Sequence, residues 1–128
     1  MRMLLDTHAF LWFLLDDPKV STTARDAIVD PDNDIAISPA TYWEIAIKIS
    51  LNKYTLPEPY EEFIEREIVA NQFDILPIVP RHTAVLTTLP FYHRDPFDRL
   101  IIAQAMVEQI PVISGDEAFA AYPVTCIW

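Results

Sequence analysis

The chain alternates short apolar runs of four or five residues with longer stretches of helical spacing, separated by proline or by clustered Asp and Asn. Arg2 to Asp6 predicts a strand, and Ala9 to Leu15 a helix ended by Asp16-Asp17-Pro18. Ser21 is placed to cap a second helix reaching about Val29, and Pro31-Asp32-Asn33-Asp34 is a turn before a strand from Ile35 to Ser38. Pro39 opens a helix to about Leu51. After a loop from Asn52 to Pro59, the residues Tyr60, Phe63, Ile64 and Ile68 share one helix face, with Glu61, Glu62, Glu65 and Glu67 elsewhere on it. Ile75 to Val79 reads as a short strand, and Pro77 within it predicts a sheet edge. A small helix from Thr83 to Leu89 stops at Pro90, and a longer one runs from Asp95-Pro96 through Gln109. The strands Val112 to Ser114 and Val124 to Ile127 bracket a helical turn at Glu117 to Ala121.

Strands that alternate with helices pair in parallel through right-handed crossovers, which predicts an α/β three-layer sandwich around a central, mostly parallel sheet of about five strands. At 128 residues the chain is one domain, 1–128. A hydrophobic share of 52% against 22% charged residues suits a packed core. With Gly115 as the single glycine, neither a G-x-G-x-x-G loop nor a P-loop can be written. Cys126 stands alone, which removes disulfides and multi-thiolate zinc. The apolar run Ala9 to Leu15 falls far short of the ~20 residues that span a bilayer, and Asp6 interrupts a leader-like region, so a soluble, cytoplasmic protein without a membrane partner is expected.

The net charge of −10 argues against a broad nucleic-acid footprint, unless the acids surround cations. In an open parallel sheet the ligand crevice lies beyond the carboxyl ends of the strands, and acids collect there. Asp6 follows the first strand, Glu44 stands in the helix after Ser38, Asp98 lies in the first turn of its helix, and Asp116 follows Ser114. Convergent carboxylates repel one another and are neutralised most readily by a hard divalent cation, Mg²⁺ or Mn²⁺, which suits phosphodiester hydrolysis. Thr7 and Ser114 bring hydroxyls beside two of the acids.

Each acid also has a structural reading. Asp6 and Asp116 can cap the helices that follow them, Asp95 can cap the next helix with Asp98 near its positive end, and Glu44 can pair with Lys48 at i,i+4. The helix around Glu44 is apolar nearly all round, which makes an unpartnered acid there expensive. His8, His82 and His93 lack metal-ligand spacing and are read as structural or exposed, and Phe91 and Tyr92, beside Pro90, as packing residues. Arg94 and Arg99, with Lys48, supply a small basic rim for a phosphate backbone.

Four segments together resemble a known family. They are Leu4-Leu5-Asp6-Thr7-His8, Ser38 through Lys48, His93-Arg94-Asp95-Pro96-Phe97-Asp98-Arg99 through Ala105, and Ser114-Gly115-Asp116-Glu117-Ala118-Phe119. In this order and spacing they resemble the PIN domains, and within them the VapC-type toxins of toxin–antitoxin pairs. The resemblance implies a ribonuclease whose metal-binding acids are Asp6, Glu44, Asp98 and Asp116, with Asp6 and Asp116 as first ligands, Thr7 and Ser114 in support, and Asp95 as a cap. It implies Mg²⁺ or Mn²⁺ as cofactor, RNA as substrate, a homodimer, and a cognate antitoxin that blocks the acidic pocket. The family usually has Thr where Ser114 stands.

Three other readings are weighed against it. A haloacid-dehalogenase-like phosphatase needs an Asp where His8 stands, and a receiver domain wants paired acids after the first strand, where Asp6 is alone. A catalytically silent PIN-fold binding module would keep the fold and fail to bind metal.

Overall fold

The computed structural model describes all 128 residues. Five strands, β1 (Arg2–Leu5), β2 (Asp34–Ile37), β3 (Asp74–Ile75), β4 (Val112–Ile113) and β5 (Cys126–Ile127), form one sheet in the order β3-β2-β1-β4-β5. Every pairing is parallel. Six helices cover the sheet: α1 (Thr7–Leu14), α2 (Thr22–Val29), α3 (Pro39–Ser50), α4 (Tyr60–Ala70), α5 (Pro80–Leu86) and α6 (Pro96–Glu108), with a 3₁₀ turn at Glu117–Ala121.

The strand alternation divides two cores. Met3, Leu5, Ile35, Ile37 and Ile113 face one side, where they pack with Phe10, Ala24, Ile45, Phe63 and Ile64 from α1 to α4. Leu4, Ala36 and Val112 face the other side and meet Ile101, Ile102, Ala105 and Phe119. The predicted three-layer α/β sandwich is therefore present, with a sheet that is wholly parallel.

Several boundaries differ from the sequence reading. The third strand is Asp74–Ile75, ending before Pro77, which has no N–H for a ladder. It is an edge strand, as Pro77 predicted, paired only with β2. Helix α5 starts at Pro80 and ends at Leu86, because Pro80 fits the first turn and the Nδ1 of His82 accepts the Val79 N–H. Helix α1 begins at Thr7, one residue after its cap. Helix α6 ends at Glu108, and Gln109 after it takes the left-handed conformation that glycine usually supplies; Asp16, Asn52 and Gln72 take similar positive φ values. No helix is long and apolar enough to cross a membrane.

The strand order places β1 beside β4 at the point where the winding reverses, and Leu5 pairs with Ile113. The residues just beyond these two strands, Asp6 and Ser114, therefore meet at the crevice of the sheet.

Candidate active site

Each acid at this crevice is placed by a local element. Asp6 caps α1 through Oδ1, which accepts the Ala9 N–H at 2.7 Å, while Oδ2 accepts the Ser114 hydroxyl. Asp116 caps the 3₁₀ turn through Oδ1, from Ala118 N–H at 2.9 Å. Its Oδ2 lies 2.9 Å from His93 Nε2. In each residue one oxygen caps and the other makes a separate contact at the crevice, to Ser114 or to His93. Ser114 Oγ also accepts the Asp116 N–H, so one hydroxyl ties the ends of β1 and β4 together. Between Ser114 and Asp116, Gly115 passes under the Trp128 indole, where a Cβ would stand 2.6 Å from the ring.

Glu44 comes from the middle of α3 and is only 3% exposed. Its Oε1 is buried without a hydrogen-bond partner, and Lys48 is not paired with it; the Lys48 ammonium lies 5.9 Å from the Tyr54 ring instead. Burial raises the Glu44 carboxyl above its usual range and the Asp95 charge adds to this, against the Thr7 hydroxyl and Lys48. Thr7 Oγ1 also lies 3.3 Å from Thr41 Oγ1, joining α1 to α3.

Asp98 stands in the first turn of α6, where Asp95 Oδ1 accepts the Phe97 and Asp98 N–H groups. Burial first, and then the charges of Asp95, Glu44, Asp6 and Asp116, push its carboxyl up to about 8. Burial likewise raises Asp6, partly offset by the hydrogen bonds from Ser114 and Ala9. The four acids singled out from the sequence therefore share one electrostatic field.

The structure adds two residues that the sequence reading set aside. His93, taken as structural or exposed, has Nε2 3.2 Å from Asp98 Oδ2 as well as 2.9 Å from Asp116 Oδ2. Its Nδ1 accepts the Asp95 N–H, which leaves the proton on Nε2, pointing between the two carboxylates. Asp95, read only as a cap, is the largest charge acting on Asp98. Ligand atoms of His93, Asp98 and Asp116 lie within 4.8 Å of one another, and so do those of Glu44, Asp95 and Asp98. The adjacency of His93 and Asp95 to Asp98 in the sequence was the available signal; the turn that folds them back together was not.

The basic rim needs correction. Arg99 is 5% exposed, and its guanidinium donates to the carbonyls of Leu89, Pro90 and His93 and lies 3.8 Å from the Phe91 ring centroid. It pins the loop before α6 and cannot meet a phosphate backbone. Arg94 is exposed and Lys48 half-buried. Phe91 and Tyr92 pack at the surface: Phe91, 74% exposed, lies against the Arg99 guanidinium, and Tyr92 is edge-on to Tyr122.

The donor set fits a hard divalent cation. It offers carboxylate oxygens, one of them buried and unpartnered, and the crowding that lifts Asp98 is the repulsion such an ion relieves.

Comparison with known proteins identifies the family of this fold. The PIN domain family model matches residues 3–124. Ribonuclease VapC22 of Mycobacterium tuberculosis is 26% identical over 131 residues, spanning 98% of each chain. Among solved structures, VapBC2 from Rickettsia felis, bound to a DNA fragment from their promoter, superposes with a TM-score of 0.69 at 16% identity, covering 98% of this chain and 97% of that one. VapBC-1 from nontypeable Haemophilus influenzae gives 0.65 at 17% identity, over 98% and 96% of the two chains. FitAcB from Neisseria gonorrhoeae gives 0.57 at 18%, over 97% and 95%. The matched span takes in all six helices and the carboxylate crevice, and the chain belongs to the PIN domain family.

Proposed function

We propose that this PIN domain is a Mg²⁺- or Mn²⁺-dependent endoribonuclease, the toxin of a toxin–antitoxin pair. The observation that carries the reading is Asp98, buried among four other carboxylates at the carboxyl edge of the sheet, with no arginine or lysine ion-paired to any of the five. The relative named a ribonuclease supports the reaction class.

Asp6 and Asp116 are the first ligands, through the oxygens their caps leave over. Glu44 and Asp98 complete the donor set. When bound, a divalent ion acidifies water and polarises a phosphoryl oxygen, the two needs of phosphodiester hydrolysis. Ser114 holds Asp6 in orientation by its hydroxyl, and Thr7 steadies the α1–α3 side of the crevice. Arg94 and Lys48 meet the RNA backbone, a narrow contact in keeping with an acidic protein.

A cognate antitoxin closes the same crevice, its basic side chain competing with the cation for the carboxylates. The apolar groove of about 280 Å³ lined by Tyr42, Tyr60, Ile64, Ile68 and Ile75 offers its backbone a seat. The protein acts as a homodimer in the cytoplasm.

The test is incubation of the purified protein, freed of antitoxin, with total bacterial RNA in Mg²⁺ or Mn²⁺, with new ends mapped by sequencing. Discrete ends that vanish with a chelator and with Asp98→Asn are expected. Uncut RNA, with the variant folded and indistinguishable, would put a silent binding module in place of the enzyme.

A further inference from the structure

The three lysines of the chain gather around one cleft. Lys19, Lys48 and Lys53 form no ion pair, although acidic residues outnumber basic ones 19 to 9. The arginines are otherwise placed: Arg2, Arg25, Arg66 and Arg81 pair with carboxylates, and Arg99 donates to backbone carbonyls.

Two helix ends position these lysines. After α1, Asp16 at φ 53° turns the chain back, with Asp17 N–H reaching the Trp12 carbonyl at 2.8 Å, and the Lys19 ammonium comes to 5.3 Å from the Trp12 ring centroid. After α3, Asn52 at φ 59° does the same, with Lys53 N–H reaching the Lys48 carbonyl at 2.8 Å, and the Lys48 ammonium stands 5.9 Å from the Tyr54 ring. Asp and Asn are the side chains that take such a left-handed turn most readily after glycine. Between the two turns lies a cleft of about 380 Å³, walled by His8, Trp12, Lys19, Lys53 and Tyr54. Asp17 is the one acid on its wall, and its Oδ1 accepts the Lys19 N–H at 2.9 Å.

The cleft adjoins the carboxylate crevice. His8 follows Thr7, stacks on Trp12 with centroids 5.4 Å apart, and has Nε2 3.5 Å from the Tyr54 hydroxyl. Burial raises the Tyr54 phenol, and the charges of Glu44, Asp98 and Asp95 raise it further. Trp12 also meets Trp128, the ring that covers Gly115 between Ser114 and Asp116. Unpaired ammonium groups beside aromatic rings are the two components of single-strand binding, since the charges follow a phosphate backbone and the rings stack on exposed bases. A duplex offers such a cleft only its backbone.

We propose that this cleft holds single-stranded RNA entering the crevice, with phosphates on Lys19 and Lys53 and an unpaired base against the Trp12 and Tyr54 rings. It rests on the ribonuclease reading and gives that enzyme a substrate class, unpaired RNA.

The test is fluorescence anisotropy of a labelled, mixed-sequence RNA of about ten nucleotides, with Ca²⁺ in place of Mg²⁺ so that binding is read without cleavage. The wild type is expected to bind the single strand at least about fivefold tighter than the same sequence in a duplex, the gain from one stacked base. Lys19→Ala/Lys53→Ala should weaken the single strand at least about tenfold and lower the slope of log affinity against log salt by about 1.4, the share of two phosphates. Arg2→Ala/Arg81→Ala, which removes as much charge beside Glu108, should leave the affinity within about twofold. Trp12→Leu should weaken the single strand at least about fivefold and spare the duplex. Trp12 packs on the core, so the exposed lysines carry the test should that variant fail to melt cooperatively. Equal affinity for strand and duplex, or an affinity unchanged in Lys19→Ala/Lys53→Ala, would overturn the cleft as an RNA seat and leave it to a protein partner, with the ribonuclease untouched. RNA held through both lysines but never cut in Mg²⁺ or Mn²⁺ would uphold the cleft and overturn the ribonuclease.

Discussion

Helix α6 carries an acid near each end, and their carboxyls are shifted in opposite directions. Glu108 closes the C-terminal end, where the helix dipole disfavours a negative charge, and yet its carboxyl is held below the usual range by the hydrogen bond from buried His82, with Arg81 and Arg2 nearby. Asp98 opens the N-terminal end, where the dipole favours it, and is nonetheless pushed up to about 8. Burial, with the neighbouring carboxylates, overrides the dipole at Asp98, and the His82 hydrogen bond overrides it at Glu108. An acid that serves structure is given cations from its own chain. An acid left among other acids, with the one arginine of its helix turned away to backbone carbonyls, is waiting for a cation from outside.

The contrast is broken most directly by neutralising each acid in turn. Asp98→Asn is expected to lower metal-dependent RNA cleavage by at least about 100-fold, the upper end of what outer-sphere changes do at metal sites. Glu108→Gln should leave cleavage within about twofold, since it lies at the far end of the helix. Equal losses in the same assay would mean that the crevice has no special role.

Arg99 is the next lever. Arg99→Ala removes three charge-assisted contacts to the loop before α6 and should cost about 2 to 3 kcal/mol in urea unfolding. Arg99→Lys should recover only part of this, lacking the planar fork. Unchanged stability would return Arg99 to the list of RNA contacts.

Proton competition sharpens the comparison further. A cation entering the crevice must displace the proton that Asp98 holds below about pH 8. Mn²⁺ affinity should therefore rise about tenfold per pH unit between pH 6 and 7.5, where one proton is released per ion, and level off above pH 8. Calorimetric titration in buffers of different ionisation enthalpy counts that proton, and a flat affinity would contradict it.

The smallest effect is on the metal-free fold, and its sign differs between the two acids. Asp98 binds its proton more tightly folded than unfolded, so its contribution is complete below about pH 4 and is lost as pH rises through 8. Glu108, with a lowered carboxyl, contributes above its unfolded value and loses that contribution as pH falls through the folded one. At pH 8, Asp98→Asn should raise stability, and Glu108→Gln should lower it by at most about 1 kcal/mol. Thermal melts of both variants in chelator read the two signs.

The acids themselves were legible in the sequence, and so was their common edge, because a parallel α/β pattern sends every strand's carboxyl end to the same side. The sequence reading weighed capping against metal binding at Asp6 and Asp116, and the fold shows one oxygen of each capping while the other meets Ser114 or His93. His93 was passed over for lack of ligand spacing, which measures distance along the chain and not across a turn. Arg99 was misplaced for the converse reason: its position beside Asp98 in sequence puts it on a different side of α6.

The alternation of apolar runs, the prolines at helix starts and the single glycine determined the layers, the crossovers and the side of the sheet where chemistry collects, since these follow from backbone geometry and local burial. Only the tertiary structure decided which charges face one another. Pairing β1 with β4 brought Asp6 to Ser114, 108 residues apart, and the Arg99 contacts to the loop before α6 turn that side chain away from the crevice that His93 enters. Electrostatic energy depends on distances through space, and spacing along a chain does not encode those until the chain has folded.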